Sequence, residues 1–170
     1  ALDHMHDQNI AHLGLTPGDL LISHPGGDDL KLCDFGLSRR IHPGQLQPLE
    51  YGMPEFVSPE TIRGEGVDTM SDMWSVGVIT YLLLTGISLF RGNNDMETLM
   101  KVKEGFWEFD EDYWQNITVE ARDFITKLLV IEPYSRLDVK AALRHPWLNL
   151  ADRLPPNQWT IPTERLHNYY

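Results

Sequence analysis

Between residues 71 and 84 the chain is apolar almost all round, and from Met73 onward only Ser75, Gly77 and Thr80 interrupt the run. A helix of that composition has no face suited to water, so the remaining elements must pack around it. It is too short to span a bilayer, which takes about 20 apolar residues. The flanking segments have the patterns needed to cover it. Residues 94–104 carry Met96, Leu99, Met100 and Lys103 at helical spacing, and 118–129 show Ala121, Phe124, Ile125, Leu128 and Leu129 as one stripe. A short helix is expected over 137–143, ahead of His145-Pro146-Trp147.

The N-terminal third reads differently. Residues 1–10 look like the end of a helix, with Leu2, Met5 and His6 at helical spacing. Short apolar runs at 20–22 and 30–33 flank a segment containing Pro25, Gly26 and Gly27, which predicts a β-hairpin. From Leu37 to Val57 the sequence holds Pro43, Gly44, Pro48 and Gly52 and reads as one long irregular loop. Loops of that length in a compact domain are usually functional. A small hairpin followed by several helices is an α+β class, mostly α. Leu154-Pro155-Pro156 reads as a linker and 163–170 as the first turns of a further helix, so residues 1–148 form one lobe and 149–170 a linker and tail.

Composition narrows the function. The net charge of −11 argues against nucleic acid and anionic membrane surfaces and suits a basic partner peptide. The single cysteine, Cys33, allows no internal disulfide, which fits a reducing compartment; its apolar surroundings predict a buried structural thiol. No charged-then-apolar leader opens the sequence. Asn116-Ile117-Thr118 matches a glycosylation sequon, but nothing else looks secreted. His4 and His6 stand two apart on a helix and do not share a face, which disfavours a metal site. The acidic run from Glu108 to Asp112 lacks the spacing of a calcium loop.

Several short motifs follow one another in a fixed order. They are the loop from His12-Leu13-Gly14 through Thr16 to Asp19, then Asp34-Phe35-Gly36, Ser58-Pro59-Glu60, Asp72-Met73-Trp74-Ser75-Val76-Gly77, Arg136 and His145-Pro146-Trp147. At this spacing they resemble the C-terminal lobe of a protein kinase. The stretch Tyr51-Gly52-Met53-Pro54-Glu55-Phe56-Val57-Ser58-Pro59-Glu60 is similar to the substrate loop of the giant muscle kinases, the titin, twitchin and obscurin group. The strongest likeness is to the obscurin branch, in the first kinase-like domain of its invertebrate members.

The resemblance carries expectations. His12, Phe35, Glu60, Asp72 and Arg136 match residues that hold the lobe together: Glu60 and Arg136 as a buried ion pair, Asp72 as the orienter of the catalytic loop, His12 and Phe35 as parts of a stacked spine. Gly14, Thr16 and Met53 stand where the group has its catalytic aspartate, a lysine and a substrate-loop threonine. The carboxylate, the cation and the hydroxyl are all replaced, so the resemblance implies a pseudokinase, not an enzyme, that acts as a protein-binding scaffold. The alternatives are an active Ser/Thr kinase using Asp19 as a displaced carboxylate, and a nucleotide-binding switch without turnover. Asp34 and Asp19 are the candidates for holding Mg²⁺ and ATP. The family's N-terminal lobe, with its glycine-rich loop and lysine, is expected to partner this one and cover an apolar face. Tyr51 and the aromatics Phe106, Trp107, Phe109, Tyr113 and Trp114 are candidates for a surface that docks sarcomeric or signalling proteins. The implied location is the cytoplasm, at the sarcomere and its M-band.

Overall fold

A computed structural model describes residues 1–24, 27, 29–42, 52–115, 117–150 and 163–167. Helix α1 (Leu2–Asp7) leads into a two-residue strand β1 (Ile10–Ala11). A single 3₁₀ turn (Pro17–Asp19) precedes β2 (Leu20–Ile22), which pairs antiparallel with β3 (Leu30–Leu32), Leu20 facing Leu32 and Ile22 facing Leu30. This is the hairpin expected from the two apolar runs. Strand β4 (Arg39–Arg40) then returns to pair with β1.

The rest is helical. It comprises α2 (Pro59–Arg63), α3 (Thr69–Thr85), α4 (Asp95–Glu104), α5 (Glu111–Trp114), α6 (Val119–Leu128), α7 (Val139–Leu143), α8 (Pro146–Leu150) and α9 (Thr163–His167). Several of the starts carry side-chain caps that satisfy free backbone N–H groups. Asp68 accepts from Met70, Asn94 from Glu97, Thr118 from Ala121 and Asp138 from Ala141. Gly86 and Gly105 close α3 and α4 in the left-handed conformation that glycine adopts without strain.

Helix α3 is the axis of the lobe. Met73, Trp74, Val78 and Leu82 on it are essentially inaccessible, and α6 lies along it through Phe124, Ile125 and Leu128. Gly77 permits that approach. A Cβ there would stand 2.8 Å from Leu129 Cδ2 and 3.0 Å from Leu128 Cβ. Trp74 stacks on Phe90 with ring centroids 5.6 Å apart. Helix α9 sits at the far end of α3, where Arg165 donates to the Thr85 carbonyl at 3.1 Å and Leu166 packs on the core.

Two expectations need correction. The segment after Leu37 is not one irregular loop: Arg39 and Arg40 form a strand opposite Ala11 and Ile10, and Pro54–Phe56 form a 3₁₀ turn. A pair of arginines has no apolar periodicity, so backbone pairing alone makes β4. Cys33 is half-buried, not sealed in the core. The hairpin that precedes it leaves Leu21, Ile22 and Leu30 largely exposed. Residues 43–51, which include Tyr51, and the linker at 154–156 lie outside the described residues.

Candidate active site

The catalytic-type loop is held from below by one carboxylate. Asp72, fully buried on the first turn of α3, accepts the backbone N–H of His12 at 2.9 Å through Oδ2 and that of Leu13 at 2.8 Å through Oδ1. His6 Nε2 reaches the same Oδ2 at 2.9 Å. A carboxylate oxygen only accepts, so Nε2 of His6 carries the hydrogen. These bonds fix Leu13 at a φ of 63°, a left-handed conformation that costs a leucine about 1–3 kcal/mol.

His12 links this loop to the Asp34-Phe35-Gly36 turn. Its buried ring donates from Nε2 to the Cys33 carbonyl at 3.0 Å, and its centroid lies 5.4 Å from that of Phe35. Phe35 is not sealed in a stack, however, because 53% of it stays exposed. His12 packs on its ring, and the rest of the expected spine is open on this lobe. Asp34 has a φ of 57° and points its carboxylate outward, Oδ1 accepting from Gly36 N at 3.3 Å.

Gly14, Thr16 and Met53 come together in one place. They line one shallow recess with Leu13, Leu15, Gly52, Phe56, Val57 and Ser75. None of the three brings a carboxylate or a cation to it; the Thr16 hydroxyl is given to Asp19, the Ser75 hydroxyl to the Phe56 carbonyl, and Met53 is half-exposed. Asp19 is nearly buried and turned back on its own loop. Its Oδ2 accepts both Thr16 N and Thr16 Oγ1 at 2.8 Å. Among the described residues no three His, Cys, Asp or Glu side chains converge as a metal site. Mg²⁺ bound with a nucleotide needs fewer protein ligands, because phosphate oxygens and water complete its shell. The hard oxygens of Asp34 and Asp19 have the donor chemistry for that, with both loop bonds of Asp19 falling on one oxygen.

The substrate-loop side is anchored by a buried ion pair. Arg136 donates Nη1 to Glu60 Oε1 and Nη2 to Glu60 Oε2, both at 2.7 Å, and its remaining hydrogens go to the carbonyls of Val130, Met70 and Ile131. Ser71 Oγ adds a bond to Glu60 Oε1 at 2.9 Å. Burial pushes the Glu60 carboxyl up, but the hydrogen bonds and charge of Arg136 outweigh it and hold the group below the usual glutamate range. One turn earlier, Glu55 bonds Ser88, which ties the substrate loop to the segment after α3.

The expected aromatic surface is mostly core. Trp114 is fully buried, Trp107 gives its indole N–H to the Leu129 carbonyl, and Phe109 packs at 4.4 Å against Trp114 and near Tyr81. Arg122 lies over Phe109 and Trp114, while Arg165 of α9 lies 4.8 Å from the Tyr113 centroid. Alternation in an extended segment turns Trp107 and Phe109 inward, leaving only Phe106 of the five well exposed, at 80%. Two contributors carry no sequence signal. His6 pairs not with anything near it on α1 but with a partner 66 residues away. Leu37 has no distinctive chemistry, yet it packs against Gly14.

Comparisons with known proteins agree with this geometry. The protein kinase domain model matches residues 1–148. The chain is 43% identical over 148 residues to myosin light chain kinase 3 of Danio rerio, covering 87% of this chain and 21% of that protein. It is 41% identical over 147 residues to the titin homolog of Caenorhabditis elegans, covering 86% of this chain and 1% of that protein. A twitchin kinase fragment from C. elegans superposes with a TM-score of 0.90 at 40% identity, over 99% of this chain and 37% of that one. The autoinhibited serine kinase domain of the giant muscle protein titin gives 0.90 at 32% identity, over 99% of this chain and 52% of that one. The chain thus spans a quarter or less of the length of these two curated relatives.

These findings overturn the expectation that the chain is not an enzyme: its relatives are named as kinases. The likeness rests at the level of the myosin light chain, titin and twitchin group, without singling out the obscurin branch. With the loop, the Asp34 turn and the Glu60–Arg136 pair in the family's arrangement and the family model matched over most of its length, the chain belongs to the protein kinase domain family, in the myosin light chain kinase, titin and twitchin group.

Proposed function

We propose that this chain is the substrate-side lobe of a Ser/Thr protein kinase, transferring the γ-phosphoryl group of ATP to a protein hydroxyl at a reduced rate. The observation that carries this reading is the intact clamp of Asp72 on the backbone of His12 and Leu13, which keeps the loop in a working shape although residue 14 is glycine. Phosphoryl transfer passes through a loose transition state, so positioning and charge stabilisation supply most of the catalysis. A proton acceptor at position 14 would add roughly 10²–10⁴-fold, and its loss slows the step without removing the rest. In this reading Asp34 and Asp19 would hold Mg²⁺, which would neutralise charge on the phosphates. The acceptor proton leaves to water or to a phosphoryl oxygen.

The test uses the full-length polypeptide with radiolabelled ATP and a basic serine peptide. Slow incorporation that rises by about 10²–10⁴-fold in Gly14→Asp supports the reading. No incorporation above an enzyme-free control, in either protein, contradicts it.

A second role, docking of other proteins, is favoured by Phe106, an aromatic ring left 80% exposed beside the acidic run 108–112. A cytoplasmic, sarcomeric setting, extending to the M-band, is part of this proposal. It is supported by relatives named for skeletal and cardiac muscle and for titin.

A further inference from the structure

Leu37 lies beside the position that a side chain on residue 14 would occupy. A Cβ built on Gly14 would lie 3.0 Å from Leu37 Cδ1, 3.4 Å from its Cβ and 3.5 Å from its Cγ. On the opposite wall, a Cβ on Gly52 would meet the same Cδ1 at 3.4 Å. One leucine therefore sits between the catalytic-type loop and the substrate loop, against two residues that have no side chain. A Cβ at position 14 makes Leu37 Cδ1 give way by a few tenths of an ångström, and a longer side chain directed the same way has to displace it further.

Leu37 is held there by its own backbone. The next residue, Ser38, donates its N–H to Phe35 O at 3.0 Å and its hydroxyl to His12 O at 3.3 Å. Arg39 and Arg40 then pair with Ala11 and Ile10. With strand and hydroxyl both fixed to the loop, the leucine can leave only by rotating its side chain. Burial on the loop side stabilises the seated rotamer, since hiding apolar surface from water is favourable.

We infer that Leu37 is a wedge that closes the acceptor position, and that Gly14 serves as its seat as well as lacking a carboxylate. The acceptor hydroxyl reaches the transferring phosphate only when Leu37 swings out, so this residue gates phosphotransfer. The gating consequence rests on the kinase reading above; the seating does not.

The experiment is a double-mutant cycle on the full-length protein with Gly14→Ala, Leu37→Ala and both together. Leu37→Val, which also lacks the Cδ atoms, replaces Leu37→Ala if that variant does not fold. Thermal unfolding should show Gly14→Ala lowering the midpoint when Leu37 is present and much less when it is combined with Leu37→Ala. Additive shifts would overturn the wedge. In the kinase assay Leu37→Ala should raise kcat/KM for the serine peptide several-fold with Mg-ATP affinity unchanged. An unchanged or lower kcat/KM overturns the gate. If no variant, Gly14→Asp included, transfers phosphate, the kinase reading and the gate both fail. Non-additive unfolding would then still establish the wedge as a structural plug.

Discussion

His6 donates its ring N–H to the same Asp72 oxygen that receives the backbone of His12, at 2.9 Å in each case. One carboxylate thereby joins α1, the catalytic-type loop and the central helix. His6→Ala removes a bond to a buried charged group and leaves that oxygen one partner short. The expected loss of stability is about 1–3 kcal/mol, read as the shift in a urea unfolding curve. The phosphotransfer rate should fall with it, because the Leu13 conformation depends on the same carboxylate.

The Glu60–Arg136 pair predicts how the lobe responds to acid. The folded-state Glu60 carboxyl titrates below its ordinary value, so its unfolded form binds a proton first as pH falls. Its contribution is complete above the unfolded glutamate value of about 4.3 and is lost as pH drops through the lower folded value. Glu60→Gln should flatten the acid limb of a stability-against-pH curve measured by denaturant unfolding. Arg136→Ala, which strands a buried carboxylate, should cost about 3–5 kcal/mol near neutral pH.

The close pass of α3 over α6 gives a test of packing. A methyl group at Gly77 meets Leu129 Cδ2 at 2.8 Å and Leu128 Cβ at 3.0 Å, and one of these lies near the backbone. Gly77→Ala should therefore destabilise by about 1–3 kcal/mol despite its better helix propensity. A thermal scan of the variant checks it.

Phe106 separates docking from folding. At 80% exposure its truncation to Ala should leave unfolding within about 0.5 kcal/mol of the parent. Binding of a protein partner at this surface should weaken, measured by calorimetry with a basic peptide taken from that partner. The same substitution at Trp114, which is fully buried, should unfold the lobe.

The parts of this molecule that are legible in its sequence are those with a local signal. The all-apolar run at 71–84, the stripe at 118–129 and the glycine-containing turn after Ile22 each specify an element by composition, and their ends fall within two residues of the observed helices and strands. Glu60 and Arg136, 76 residues apart, can be paired from the sequence only through family resemblance. What escapes is set by tertiary contact. Arg39-Arg40 pairs as a strand because β1 is there to receive it. Trp107 and Phe109 look like a surface until Leu129 and Tyr81 are brought beneath them. Leu37 is an ordinary residue in the sequence and acquires a role only because two glycines face it. Gly14 is visible in the sequence as an absent carboxylate, but the absence of a group says little about how much rate survives it.

How much rate survives is read from phosphate incorporation by the full-length protein, run beside Gly14→Asp under matched Mg-ATP and peptide. Transfer by the parent should be measurable, and installing the carboxylate should raise it by roughly two to four orders of magnitude. Background-level incorporation by both proteins, with the lobe shown to be folded, would contradict it.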